Sequence, residues 1–106
     1  MSAFPSLRLS DQAAAAIRQA ERLAYRDFAL QNLRELLDPN HQLSTWKLAG
    51  VISGHLRRFR STAWPRVQAG HREPRSALEA ALWHCCAGDC PGSQRRVFDL
   101  LVDLRL

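Results

Sequence analysis

The sequence predicts an all-α fold, a compact bundle of about four helices, two long and two short, with a structured loop near residues 62–74. Apolar residues recur at helical spacing in four segments, and a serine that can cap a helix N-terminus precedes each of them. No segment alternates apolar and polar residues as a half-buried strand does. The length of 106 residues and the hydrophobic content of 46% suit one core. We therefore expect residues 1–106 to form a single helical domain, with residues 1–9 as its N-terminal arm.

The first predicted helix begins after Ser10, its expected N-cap, and stops at Asp38-Pro39. A residue before proline is disfavoured in the α region, which explains the stop. The N-terminal half is rich in alanine, and the C-terminal half carries two apolar stripes. One stripe comprises Leu23, Leu30 and Leu37, and the other comprises Tyr25, Phe28, Ala29, Leu33 and Leu36. A helix that is apolar over most of its circumference must be covered on both sides, and in a chain of this size one cover can be another molecule.

The second predicted helix spans residues 44–61, with Ser44 as its cap. The side of this helix opposite its apolar stripe carries Trp46 beside Gly50 and Gly54. A glycine inside a helix costs about 1 kcal/mol relative to alanine, so the pair indicates a surface that another helix approaches closely. The expected core stripe comprises Thr45, Leu48, Ile52, His55, Leu56 and Phe59.

Residues 62–74 form the longest stretch without periodicity and are predicted as a loop. Trp64 and Val67 are expected to anchor it to the core. A loop of this length usually has a function or moves.

Two shorter helices complete the prediction. Ser76 and Glu79 form a capping box that starts the third helix, and Gly88 is its expected stop. Ser93 can cap the last helix, which carries Phe98 on a face beside its apolar stripe.

The net charge of +5 arises from fifteen basic residues, and Lys47 is the only lysine among them. Arginine richness at the expense of lysine suggests GC-rich coding, hence a bacterial or phage source. The basic excess suits nucleic acid or an acidic protein surface, so charge alone does not choose a partner. No apolar run is long enough for a membrane span, and no secretory signal is recognisable. Three cysteines within six residues suit a reducing compartment, so we expect a cytoplasmic protein without membrane contact.

One constellation resembles a metal site, namely His84, Cys85, Cys86 and Cys90. Adjacent helical residues point about 100° apart, so these side chains cannot all face one ion, and a fourth ligand would have to come from His71 or Asp89. No nucleophile with a base, phosphate loop or carboxylate pair is recognisable. We therefore predict no enzyme, no cofactor and no metal.

A DNA-binding alternative involves residues 76–106. The third helix, a turn and a fourth helix opening on Ser93-Gln94-Arg95-Arg96 resemble a helix-turn-helix. The turn is longer than the usual three or four residues. This reading makes the chain a small DNA-binding transcriptional regulator, and it alone implies direct contact with nucleic acid.

The other hypothesis is a protein-binding surface, because interfaces are enriched in aromatic residues and arginine. A homodimer through the first helix or the Gly50/Gly54 face is part of this hypothesis. Trp46 has an alternative interpretation as a core residue beneath the Trp64 loop. The candidate partner-binding residues are Tyr25, Phe28, Leu36, Trp46, Gly50, Gly54, Arg57 and Phe98.

Two stretches, W-K-L-A-G-V-I-S-G-H-L from Trp46 to Leu56 and W-H-C-C-A-G-D-C from Trp83 to Cys90, give the chain a resemblance to small bacterial quorum-sensing anti-activators of the QslA kind. The resemblance implies a helical, non-enzymatic protein. It also implies binding to the ligand-binding domain of a LuxR-type transcription activator, which blocks the activator's dimerisation and DNA binding. No individual site residue is carried over from it.

Overall fold

A computed structural model describes residues 10–70 and 73–106, and the arm predicted at residues 1–9 lies outside this part. The described residues contain no strand, which confirms the all-α prediction. The helices are α1 (Asp11–Leu37), α2 (Thr45–Thr62), α3 (Trp64–Gln68), α4 (Ala77–Ala87) and α5 (Gln94–Asp103).

The helices α1, α2, α4 and α5 begin directly after the serines predicted to cap them. Ser10, Ser44, Ser76 and Ser93 each accept a hydrogen bond from the backbone N–H three residues later, at 3.1 to 3.3 Å. These bonds satisfy donors that would otherwise lack a partner at the helix start. α1 ends at Leu37, and its C-cap is Asp38, the residue before proline, as predicted.

The helix α3 was not predicted, and it lies in the segment interpreted as a loop. Pro65 occupies its first turn, where the missing N–H and the fixed φ of proline suit a helix start. Five residues are too few to show a helical period in the sequence. Val67 is buried, and the Trp64 ring packs on Phe59 with centroids 6.2 Å apart, so the expected anchors do hold this segment to the core.

The core lies around α2, which packs mainly against α5 and also contacts α3, α4 and α1. α1 packs mainly on α4. The stripe predicted for α2 is buried at its centre, and Thr45 and His55 lie at its partly exposed edges. Among the described residues, the largest side chains that are completely buried are Leu30, Leu33, Ile52, Leu56, Val97 and Leu101.

The N-terminal half of α1 extends beyond this core. A helix of 27 residues is about 40 Å long, and the described part of the molecule measures 60 × 34 × 22 Å. The buried residues of α1 are confined to Ala29, Leu30 and Leu33. The turns that precede Leu23 therefore present most of their surface outward.

α4 ends near Gly88 as predicted, but for a different reason. The left-handed residue is Asp89, with φ of 56°, whereas Gly88 has φ of −90°. The N–H of Asp89 donates to Cys86 O at 3.1 Å and that of Cys90 to Cys85 O at 2.9 Å, the two bonds of a Schellman motif. A Cβ on Gly88 would lie 2.6 Å from Arg26 Cβ. The glycine therefore permits close approach of α1 to α4.

Candidate protein-binding surface

Four large apolar side chains of α1 are exposed, and we call them the α1 surface: Ile17, Tyr25, Phe28 and Leu36. The exposed fraction is 59% for Tyr25 and 61% for Phe28. At 100° per residue, Ile17 and Phe28 project to the same side of the helix, opposite the core residues of α1. Ile17 was not among the predicted site residues, although its spacing of eleven residues from Phe28 placed it on this side.

The Tyr25 ring is held in position by α4. It stacks on the ring of His84, with centroids 5.5 Å apart and an angle of 16° between the planes. The His84 ring in turn packs edge-on against Trp83, with centroids 4.9 Å apart, and Trp83 packs edge-on against Trp64, with centroids 6.1 Å apart. Because Trp64 packs on Phe59, five rings form a continuous series from the surface to the core. A ring that is already ordered loses less conformational entropy when a partner binds.

A second exposed patch lies where α2 meets α5. Trp46 is 47% exposed and packs edge-on against Phe98, with centroids 5.5 Å apart and an interplanar angle of 77°. We call these two residues, together with exposed Val102 one turn after Phe98, the α2/α5 surface. Trp64 packs elsewhere, so Trp46 is not the core residue beneath the Trp64 segment that the alternative interpretation proposed.

The two glycines predicted to form a groove have different surroundings. A Cβ on Gly50 would lie 2.7 Å from Nε2 of Gln94, which donates to Trp46 O at 3.0 Å. The close approach expected at Gly50 therefore exists, but a side chain of this chain's own α5 makes it. A Cβ on Gly54 would meet nothing within 4 Å, so only Gly54 is open.

Arg57 is exposed, yet it also has a structural partner. Its Nε donates to Gly92 O at 3.3 Å, and Ser53 Oγ donates to the same carbonyl. Arg60 donates to Cys90 O. These bonds hold the connection between α4 and α5 against α2, so Arg57 contributes to the fold in addition to any contact with a partner.

The eight candidate residues therefore fall into two groups. Tyr25, Phe28 and Leu36 lie on α1. The remaining five, Trp46, Gly50, Gly54, Arg57 and Phe98, lie on α2 or α5, the two helices that pack against each other. The sequence did not reveal this division, because it arises from the packing of α5 on α2.

The three cysteines are buried free thiols. Hydrogen bonding with Cys90 and burial raise the pKa of Cys85, and burial raises the pKa of Cys86. The hydrogen bond from Cys85, helped by the charge of Arg60, lowers the pKa of Cys90 against the effect of burial. Within residues 10–70 and 73–106, no three His, Cys, Asp or Glu side chains are placed to hold a metal ion. His71, a suggested ligand, lies outside the described residues.

No protein-family model, curated protein or solved structure matches this chain. Among the helices described, none combines the length and apolar character that a membrane crossing requires.

Proposed function

We propose that this chain is a non-enzymatic regulatory protein that acts by binding another protein. The observation that carries the proposal is the exposure of Ile17, Tyr25, Phe28 and Leu36 along one helix, each at least 46% exposed. Within this surface, Ala24, Tyr25 and Phe28 lie together around one depression, and exposed apolar patches of this kind mark sites of interaction.

The α1 surface suits the insertion of a helix into a groove. In that mode, apolar anchors recur over several turns on one side of an amphipathic helix. Ile17, Ala24 and Phe28 have this spacing, and Tyr25 adds an aromatic ring with a polar hydroxyl at its end. The N-terminal half of α1 extends from the core and gives a partner access. The same half could also pair with a second copy, so a homodimer through α1 is part of the proposal.

For the partner, we propose a LuxR-type transcription activator, bound at its ligand-binding domain in the cytoplasm. The support is the resemblance in the stretches from Trp46 to Leu56 and from Trp83 to Cys90, together with the exposed apolar surfaces. A helical module that covers an apolar dimerisation surface competes with self-association by mass action. The exposed arginines would orient the encounter.

The test mixes this protein with the ligand-binding domain of a LuxR-type activator and measures the mass of the complex by light scattering. We expect the activator dimer to be replaced by a mixed complex and its binding to operator DNA to be lost. The double substitution Tyr25→Ala, Phe28→Ala should weaken capture at least tenfold, because aromatic anchors dominate interface energies. Val51→Ala is the matched control, since Val51 is exposed but lies on neither surface. An unchanged activator dimer at saturating concentrations would refute the anti-activator role.

The DNA-binding alternative has one observation in its favour, the exposure of Arg95 and Arg96 on the first turn of α5. The packing does not favour it, because α4 lies on α1 and α5 lies on α2, whereas the two helices of a helix-turn-helix pack together. Arg95 also lies 3.7 Å from Asp99. A salt titration with duplex DNA discriminates, since phosphate contacts weaken steeply with salt and an apolar interface barely responds.

A further inference from the structure

A cleft of about 310 Å³ opens between α2, α3 and the start of α4. Its apolar wall consists of Phe59, Ala63 and Leu82, which belong to the buried core, and of Leu78, which is partly buried. The volume lies at the lower end of the range for small-molecule pockets. The cleft is separate from the α1 and α2/α5 surfaces, because it shares no residue with them.

Three arginines from three different elements converge on this cleft. Arg58 comes from α2, Arg66 from α3 and Arg75 from the segment that leads into α4. Among the described residues that line the cleft, the one acidic side chain is Glu79, whose Oε1 accepts from the Arg75 backbone N–H at 2.9 Å. The lining therefore carries an excess of positive charge.

The guanidinium groups are not committed to strong internal partners. Across the described residues, the side chains of Arg66 and Arg75 make no hydrogen bond or ion pair, and Arg58 makes only a long contact of 3.5 Å with Nδ1 of His55. Burial, and then the charge of Arg58, lower the pKa of His55, which also lines the cleft. An arginine left without a carboxylate partner retains its forked donors for an anion.

We propose that this cleft binds a small amphiphilic organic anion, with its acidic group on the three arginines and its hydrocarbon part against Phe59, Leu78 and Leu82. A hydrocarbon tail on the anion would cover the exposed part of Leu78 and the edges of the buried side chains beside it, which a bare anion would not. The concave shape suits a small molecule better than a nucleic acid backbone, which is bound along an extended charged surface. This proposal does not depend on the protein-binding function proposed above.

The probe is octanoate, compared with octan-1-ol, which has the same chain length without the charge. Binding is measured by calorimetry and by tryptophan fluorescence, because Trp64 packs on Phe59 of the cleft. We expect octanoate to bind at least tenfold more tightly than octan-1-ol. Along the series hexanoate, octanoate and decanoate, affinity should rise by at most about fourfold per added methylene and stop rising once the chain extends past the wall.

The key variant is Arg66→Gln, Arg75→Gln, which removes two exposed guanidiniums that contribute no bond to the fold. It should lower octanoate affinity at least tenfold and leave the circular dichroism spectrum unchanged. The matched control, Arg18→Gln, Arg96→Gln, lowers the net charge equally at exposed positions outside the cleft and should retain octanoate binding within twofold.

Three results would overturn the proposal. Equal binding of octanoate and octan-1-ol would show that the arginines take no part. Equal losses in the two double variants would show attraction to the overall charge. Displacement of octanoate by inorganic phosphate at comparable concentrations would show that the apolar wall takes no part, and would favour a phosphate-bearing macromolecule instead.

Discussion

The contact between α1 and α4 positions the Tyr25 ring, and Gly88 offers a direct test of how close that contact is. In Gly88→Ala, the new methyl group would lie 2.6 Å from Arg26 Cβ and 2.9 Å from the Arg22 carbonyl oxygen. Neither atom is the end of a flexible side chain, so α1 must shift. Overpacking of this kind costs about 1–3 kcal/mol, and reduced entropy of the unfolded chain offsets about 0.4–1 kcal/mol of it. We expect a net loss of about 1–2 kcal/mol in the free energy of unfolding.

Gly54→Ala is the matched control for this substitution. A Cβ there meets nothing within 4 Å, and Gly54 lies inside α2. Alanine should therefore stabilise the helix by about 1 kcal/mol. Guanidinium unfolding followed by circular dichroism measures both variants. If Gly88→Ala proves as stable as the original protein, the two helices are further apart than described and the Tyr25–His84 stack loses its support.

Two further predictions concern α2. Trp46→Ala should lower the free energy of unfolding by about 2 kcal/mol, which is roughly half the cost of truncating a fully buried tryptophan. The substitution should also reduce partner capture. Loss of all helical structure in the circular dichroism spectrum would instead make Trp46 a core residue. For His55, whose pKa is lowered by burial and by Arg58, the unfolded chain binds the proton more readily. Stability should therefore be intact above the ordinary histidine pKa of about 6.5 and fall as the pH drops below it. His55→Gln should remove this part of the pH dependence of stability. If the melting temperatures of the two proteins change with pH in the same way, His55 is not its source.

The helix starts and the core stripe of α2 could be predicted because their causes are local. A serine cap needs only the N–H three residues ahead, and the stripe needs only the helical period. The helix α3 could not be predicted, because a helix of little more than one turn is too short to show a helical period of apolar residues. The role of Gly50 could not be predicted either, because Gln94, whose side chain occupies the space beside it, belongs to another helix far along the chain.

The candidate surfaces were predictable in part for the same reason. Two apolar stripes on one helix predict that part of their apolar surface stays uncovered, and Tyr25, Phe28 and Leu36 are exposed as this predicts. The division does not follow the stripes, because Ala29 and Leu33 of the same stripe are buried in the core. The arginine-lined cleft could not be predicted. Arg58, Arg66 and Arg75 are separate in sequence and meet only because α3 and α4 pack beside α2. Proximity of this kind depends on tertiary packing, which no local pattern encodes.

The ring series connects the cleft with the α1 surface, and its physical role follows from its packing. Phe59 lines the cleft, and Tyr25 is exposed on α1. Coupling between two sites requires an element with two arrangements whose balance each ligand shifts. The contacts between the rings give Tyr25 and Phe59 a shared support. Such a support holds Tyr25 in one orientation before any partner arrives, which lowers the entropy lost on binding. Loosening the series at Trp83 would then weaken partner binding even though Trp83 belongs to neither exposed surface.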